Sequence, residues 1–157
     1  MKNSLLILFL LLLTSCKDSQ GQYFLESPEI EYSKALLSYY NTFNFGGIKS
    51  IYSDTVKIYE NSFKAYNKER LLATLKSTES NIEYQRLDDS LTIEMIVNHK
   101  NEKWVYAWYL WKLKYKNNPK EIKIPVQSSW QFIDDKIVTE YSYYDSKYFN
   151  SLKDSID

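Results

Sequence analysis

Helices first and a long sheet afterwards is the order this sequence predicts, which makes it an α+β domain. Three observations carry that reading. Apolar residues recur at helical spacing in two stretches between Ser27 and Leu75. From about residue 81 onward they alternate, or run continuously, as strands do. Turn-forming clusters, Asp88-Asp89-Ser90, Asn117-Asn118-Pro119 and Asp134-Asp135, punctuate that second half. A chain of 157 residues fits one domain of ordinary size.

The first element precedes the domain. Lys2 is followed by an unbroken apolar run, Leu5 to Leu13. A helix needs about 20 apolar residues to cross a hydrocarbon core, so this run is too short to span one. Residues 1–15 read instead as a signal peptide. Leu13-Thr14-Ser15-Cys16 resembles the bacterial lipobox, in which a diacylglycerol is joined to the cysteine and the chain is cut before it. The resemblance implies lipidation at Cys16, the only cysteine in the chain, and a lipid anchor in a membrane. The alternatives are a plain secretory signal with a free thiol or a buried cysteine. Each buried CH₂ of an acyl chain contributes about 0.8 kcal/mol, so two or three chains anchor durably. Lys17 stands where some bacteria place the aspartate that retains lipoproteins at the inner membrane, and the resemblance therefore favours the outer membrane of a bacterial cell envelope. Residues 16–26 make a lipidated tether, and 27–157 the domain.

Ser27-Pro28-Glu29 is a helix start: a hydroxyl N-cap, proline at the first helical position and an acid in the first turn. Ile30, Leu36, Leu37, Tyr40 and Phe43 share one face of that helix, and Gly46-Gly47 is expected to end it. A short amphipathic piece follows with Ile48, Ile51 and Tyr52, then the strand "TVKIYE". Asn67 caps a third helix whose buried side carries Leu71, Leu72 and Leu75. Two strand-like runs flank Asp88-Asp89-Ser90. "KWVYAWYLWKLKYK" is one long strand, apolar on both faces for half its length, as in a sheet that curls over a core. "EIKIPVQSSWQF" and "KIVTEYSYYD" form a final hairpin across Asp134-Asp135.

"WQFIDDKIVTEYSYYD" resembles the closing hairpin of the nuclear transport factor 2-like superfamily, and "YYNTFNFGGIKSIYSDTVKIYEN" resembles its opening. The resemblance covers nearly all of residues 29 to 149. It implies a cone-shaped fold, with N-terminal helices packed on a strongly curved antiparallel sheet. The family usually has glycine at Asp135, and aspartate keeps the turn because it tolerates positive φ. Relatives include SnoaL-like polyketide cyclases, ketosteroid isomerases and dehydratases, so the fold leaves the reaction open.

Alignment with the ketosteroid isomerases puts Tyr39 at their oxyanion tyrosine, Glu60 at their aspartate base, and Ser128 at their second oxyanion donor. The bland alternatives are a rim or core tyrosine on the helix and a solvated strand end. Trp104, Tyr106, Trp108 and Trp130 either line a cavity on the concave side, suited to a small, mostly apolar ligand, or simply fill it. Tyr109, Trp111, Leu113 and Tyr115 would then face outward and form a homodimer interface through the sheet.

Lys+Arg and Asp+Glu are both 20. With no basic excess to displace condensed counterions, nucleic acid is not an expected partner. His99 is the only histidine and the carboxylates show no ligand spacing, so neither a metal nor a cofactor is expected. Asp54 and Asp145 suit capping and turn roles. The sequence thus predicts an envelope lipoprotein whose cavity binds a small apolar ligand or which serves as an interaction module. The alternative is a cofactor-independent isomerase, cyclase or dehydratase with a glutamate base and a tyrosine donor.

Overall fold

The computed structural model describes residues 22–147. The leader expected at 1–15, and Cys16 with it, lie outside the described residues. Three helices, α1 (Pro28–Asn41), α2 (Phe45–Ile51) and α3 (Lys68–Asn81), pack on a curved seven-stranded sheet. Its strands are β1 (Gln22–Phe24), β2 (Tyr52–Glu60), β3 (Ile82–Leu87), β4 (Thr92–Val97), β5 (Lys103–Tyr115), β6 (Ile122–Ile133) and β7 (Lys136–Tyr144).

Each helix begins with a side-chain cap. Ser27 Oγ accepts from Ile30 N at 3.2 Å, Asn44 Oδ1 from Gly47 N at 2.9 Å, and Asn67 Oδ1 from Arg70 N at 3.1 Å. These bonds satisfy amides that have no partner within the first turn. The expected helix stop at Gly46-Gly47 is corrected. Helix α1 ends at Asn41, Phe43 turns the chain at φ 50°, and both glycines lie in the first turns of α2. Gly47 is there for close approach: a Cβ on it would lie 2.7 Å from ring atoms of Tyr39.

The sheet order is β1-β4-β5-β6-β7-β2, with β3 paired to β5 beyond the end of β4. The expectation of a wholly antiparallel sheet needs one correction, because β2 runs parallel to β7. The runs either side of Asp88-Asp89-Ser90 do not form a hairpin. Strand β3 pairs with Trp111–Tyr115 and β4 with Lys103–Trp108, so both share one edge of the long β5. Asp88 stitches this step through its amide to Leu110 O at 2.9 Å and an ion pair with Lys112. Strand β1, in the segment read as tether, pairs with β4.

The β6–β7 hairpin turns at Asp134 and Asp135, both with positive φ (47° and 60°), as expected for aspartates filling a glycine-type turn. Beyond it the register slips: Phe132 faces Ile137 but Gln131 faces Thr139, which leaves Val138 as an extra residue. That bulge decides where the site residues point.

The core lies between α1 and the concave face of the sheet. Ile30, Leu36 and Leu37 from α1 meet Val56, Ile58, Val105, Trp130 and Ile137. At about 25 cal/mol per Å² of apolar surface, this burial is the main stabilising term.

Candidate functional site

Polar groups collect on the concave face at the end farther from the hairpin turn. Pairing sets them in rows: Glu60, Ser142, Ser128 and Ala107 across β2, β7, β6 and β5; then Ile58, Glu140, Trp130 and Val105 beside them. Tyr144, Val126 and Tyr109 form the next row outward. Helix α1 closes over this face and directs Tyr40 into it.

Glu140 is the centre. It is 6% exposed, and two lines of hydroxyls converge on its carboxyl. On one side Tyr52 OH donates to Glu140 Oε2, and Tyr40 OH lies 2.7 Å from Tyr52 OH. On the other, Ser142 Oγ donates to Glu140 Oε1 at 2.8 Å. Ser128 Oγ is 2.8 Å from Ser142 Oγ, and Tyr109 OH is 3.0 Å from Ser128 Oγ. Each hydroxyl has one proton. Once Tyr52 and Ser142 give theirs to the carboxylate, the others follow in sequence: Tyr40 to Tyr52, Tyr109 to Ser128, Ser128 to Ser142.

Burial raises the Glu140 carboxyl to about 7; the charge of Glu60 pushes the same way, and the Tyr52 and Ser142 hydrogen bonds oppose it. Desolvation wins because a buried carboxylate loses more hydration than two hydroxyls return. The Trp130 indole N–H also favours the ionised form, although Nε1 has no partner in hydrogen-bonding geometry among the described residues. Tyr40, Tyr52 and Tyr109 are held well above their usual range, chiefly by burial, so they remain protonated donors at neutral pH.

The second carboxylate, Glu60, lies nearer the solvent. Its Oε2 accepts from Tyr66 OH at 2.7 Å, and Tyr144 also hydrogen-bonds to it. Glu60, Tyr66, Tyr109 and Tyr144 are all half-buried. They stand on the solvent side of this polar cluster, with Glu140 buried at its centre.

Of the residues singled out in the sequence, Ser128 and Glu60 belong to this cluster. Tyr39 does not: it packs over Gly47, and Tyr40 takes the inward place. A slip of one residue turns a helical side chain by about 100°. The stripe Ile30, Leu36, Leu37, Tyr40 already marked the inward face. Trp130 is inside and 1% exposed. Trp104, Tyr106 and Trp108 are not: they form an outer stripe, stacked in turn at 6.5 and 6.4 Å, with Tyr141 and Tyr59 continuing it across the sheet. Tyr109, Trp111 and Leu113 face the core, the reverse of the expected arrangement. Aromatics cover both faces of β5, so alternation alone cannot say which is inner. Asp54 pairs with Lys68, Asp145 Oδ1 accepts from Lys147 N in a turn, and His99 is exposed in the β4–β5 loop.

The site residues missed in the sequence are Glu140, Tyr52, Ser142 and Tyr109, with Tyr40, Tyr66 and Tyr144 around them. Counting by twos from Ile137 puts Glu140 on the outside, and only the Val138 bulge brings it in.

No protein-family model matches the chain, and no curated protein sequence does. Solved structures do. A provisionally assigned polyketide cyclase from Silicibacter sp. is 16% identical, over 83% of this chain and 96% of its own, with a TM-score of 0.66. An NTF2-like protein of unknown function from Burkholderia pseudomallei is 11% identical, over 81% and 98%, with a TM-score of 0.63. An LEH-like epoxide hydrolase from M. tuberculosis is 13% identical, over 82% and 92%, with a TM-score of 0.56. At such identities the shared property is the fold, and this chain has the α+β fold of the nuclear transport factor 2-like proteins.

Proposed function

We propose that the cluster around Glu140 and Glu60 performs cofactor-independent proton transfer on a small, mostly apolar molecule bearing a carbonyl group. The observation that carries this reading is the unbroken hydroxyl line from half-buried Tyr109 through Ser128 and Ser142 to Glu140. A carboxyl that titrates near 7 both gives and takes protons at neutral pH, which is what an acid–base catalyst needs.

The ligand lies against half-buried Glu60 and Tyr109 with its carbonyl oxygen toward Tyr109 OH. The Glu60 carboxylate removes a proton from the carbon next to the carbonyl, and the electron pair moves to oxygen. When Glu140 is protonated the hydroxyls turn the other way, Glu140 to Ser142, Ser142 to Ser128 and Ser128 to Tyr109. Tyr109 then gives its proton to that oxygen and regains one from Ser128, which leaves Glu140 ionised. In the reverse steps the enol returns its O–H proton along the line to Glu140, and Glu60 returns its proton to carbon. Return to the same carbon gives exchange; return to another gives isomerisation. The preset hydroxyls stabilise the developing oxyanion without reorganising.

The lipid anchor at Cys16 is part of the proposal: lipobox resemblance supports an envelope lipoprotein whose domain stands on a short tether. A second reading, a binding protein for the same class of molecule, is favoured by the slight exposure of Glu140.

The test is deuterium wash-in. The full chain is incubated in D₂O with cyclic and α,β-unsaturated ketones, and loss of the C–H signal beside the carbonyl is followed by proton NMR. Exchange catalysed by wild type, abolished in Glu60→Gln, with a rate profile that bends near pH 7 only when Glu140 is present, is expected. If ketones that bind exchange no faster than in buffer, the proton-transfer reading fails and the binding reading stands.

A further inference from the structure

Next to the cluster around Glu140, and sharing Tyr52 with it, a cleft of about 520 Å³ opens where α2, the start of β2, the start of α3 and the start of β7 meet. Its lining includes Lys49, Lys68, Lys136, Ser53 and Asp54. In a chain with no net charge, three ammonium groups against one carboxylate is a local excess of two positive charges. All three act on one point: the Asp54 carboxyl is held below its usual range first by Lys68, and also by Lys49 and Lys136.

Lys68 is the unusual member. Its side chain is 3% exposed, while its ion-pair partner Asp54, at 2.7 Å, is 97% exposed. An ammonium has three donors, and Asp54 Oδ1 is the one acceptor that Lys68 Nζ meets among the described residues. A buried charge served by a single solvent-facing carboxylate is under-compensated. Ser53 Oγ is buried with no hydrogen-bond partner among the described residues. Both therefore have hydrogen-bonding capacity to spare at the same cleft.

We propose that this cleft is an anion site for the phosphoryl group of a small molecule or lipid headgroup, held by Lys49, Lys68 and Lys136 with the Ser53 hydroxyl. Ammonium groups bind phosphoryl oxygens as point charges, and several converging on one cleft suit a group that carries up to two negative charges. The cleft is larger than one phosphate, so it also takes part of the group that bears it.

The test uses the full chain and inorganic phosphate, followed by amide NMR at constant ionic strength. Saturable shifts confined to residues around 46–54, 68 and 136 are expected, weakened at least tenfold in Lys49→Ala/Lys136→Ala. Both of those lysines are exposed, so the variant keeps its fold, which its unchanged remaining spectrum verifies. Sedimentation with phosphatidylglycerol and with phosphatidylcholine vesicles then separates the sources. Anionic-vesicle binding lost in the double variant assigns a headgroup; phosphate binding alone assigns a soluble phosphorylated molecule. Shifts that do not saturate, or that persist in the double variant, overturn the site.

Discussion

Replacing Glu140 by Gln should remove a specific pH dependence from the stability of this protein. The carboxyl titrates at about 7 when folded, against 4.5 for the unperturbed group. Between those values the folded chain holds a proton that the unfolded chain has released. Stability then falls as pH rises, since its slope follows protons bound unfolded minus folded. The loss is complete above about pH 7 and, at about 1.4 kcal/mol for each tenfold difference in affinity, amounts to ~3 kcal/mol. Groups held low when folded, such as Asp88 beside Lys112 and Glu102 beside Asn98, act with the opposite sign and at lower pH. Urea midpoints measured from pH 5 to 8 isolate Glu140. Wild type should lose most of the ~3 kcal/mol across that window, while Glu140→Gln stays flat. A wild-type profile that is flat or rising, or one that Glu140→Gln reproduces, would refute the assignment of a buried, near-neutral carboxyl.

The neighbours of Glu140 should move its titration in opposite directions, read from the carboxyl carbon by NMR. Glu60→Gln removes a charge that raises it and lowers the midpoint; Tyr52→Phe removes a hydrogen bond that lowers it and raises the midpoint. Gly47→Ala should destabilise by about 1–2 kcal/mol in urea unfolding, because overpacking against Tyr39, at 2.7 Å, outweighs the gain in helix propensity. Asp135→Gly should stabilise by roughly 0.5 kcal/mol, as relief at φ 60° exceeds the added entropy of the unfolded chain. Trp108→Ala, on the outer face, 43% exposed and stacked on Tyr106 at 6.4 Å, should destabilise by about 0.5–1.5 kcal/mol in the same assay.

The elements were legible where one physical signal dominated. Ser27-Pro28-Glu29 and Asn67 start helices because a capping oxygen meets orphan amides, and nothing in the tertiary structure competes. Gly46-Gly47 misled because glycine serves two ends. It stops helices, and it also lets another element come close, which is its use beneath Tyr39. The partner of β3 was not legible, since sequence neighbours normally pair with each other. Here β5 is long enough to hold β3 and β4 end to end, and no local pattern reveals that.

The site was half legible for a related reason. Glu60 follows Val56 and Ile58 in phase, so the alternation that places those two inside places Glu60 with them. Ser128 keeps phase with Trp130 and Phe132 in the same way. Glu140 breaks phase with Ile137, and the residue responsible is Val138, which has the composition of an ordinary strand residue. The partner strand held the missing signal. The Asp134-Asp135 turn fixes which residues face each other first, and β6 continues without interruption through Trp130 to Ser128. A strand that kept phase with Ile137 would set Thr139 and Tyr141 against that buried face, leaving Glu140, Ser142 and Tyr144 in water. The bulge reverses this. It buries the one row of β7 that carries a carboxyl and two hydroxyls, at the cost of an irregular ladder and a carboxyl whose charge the interior resists.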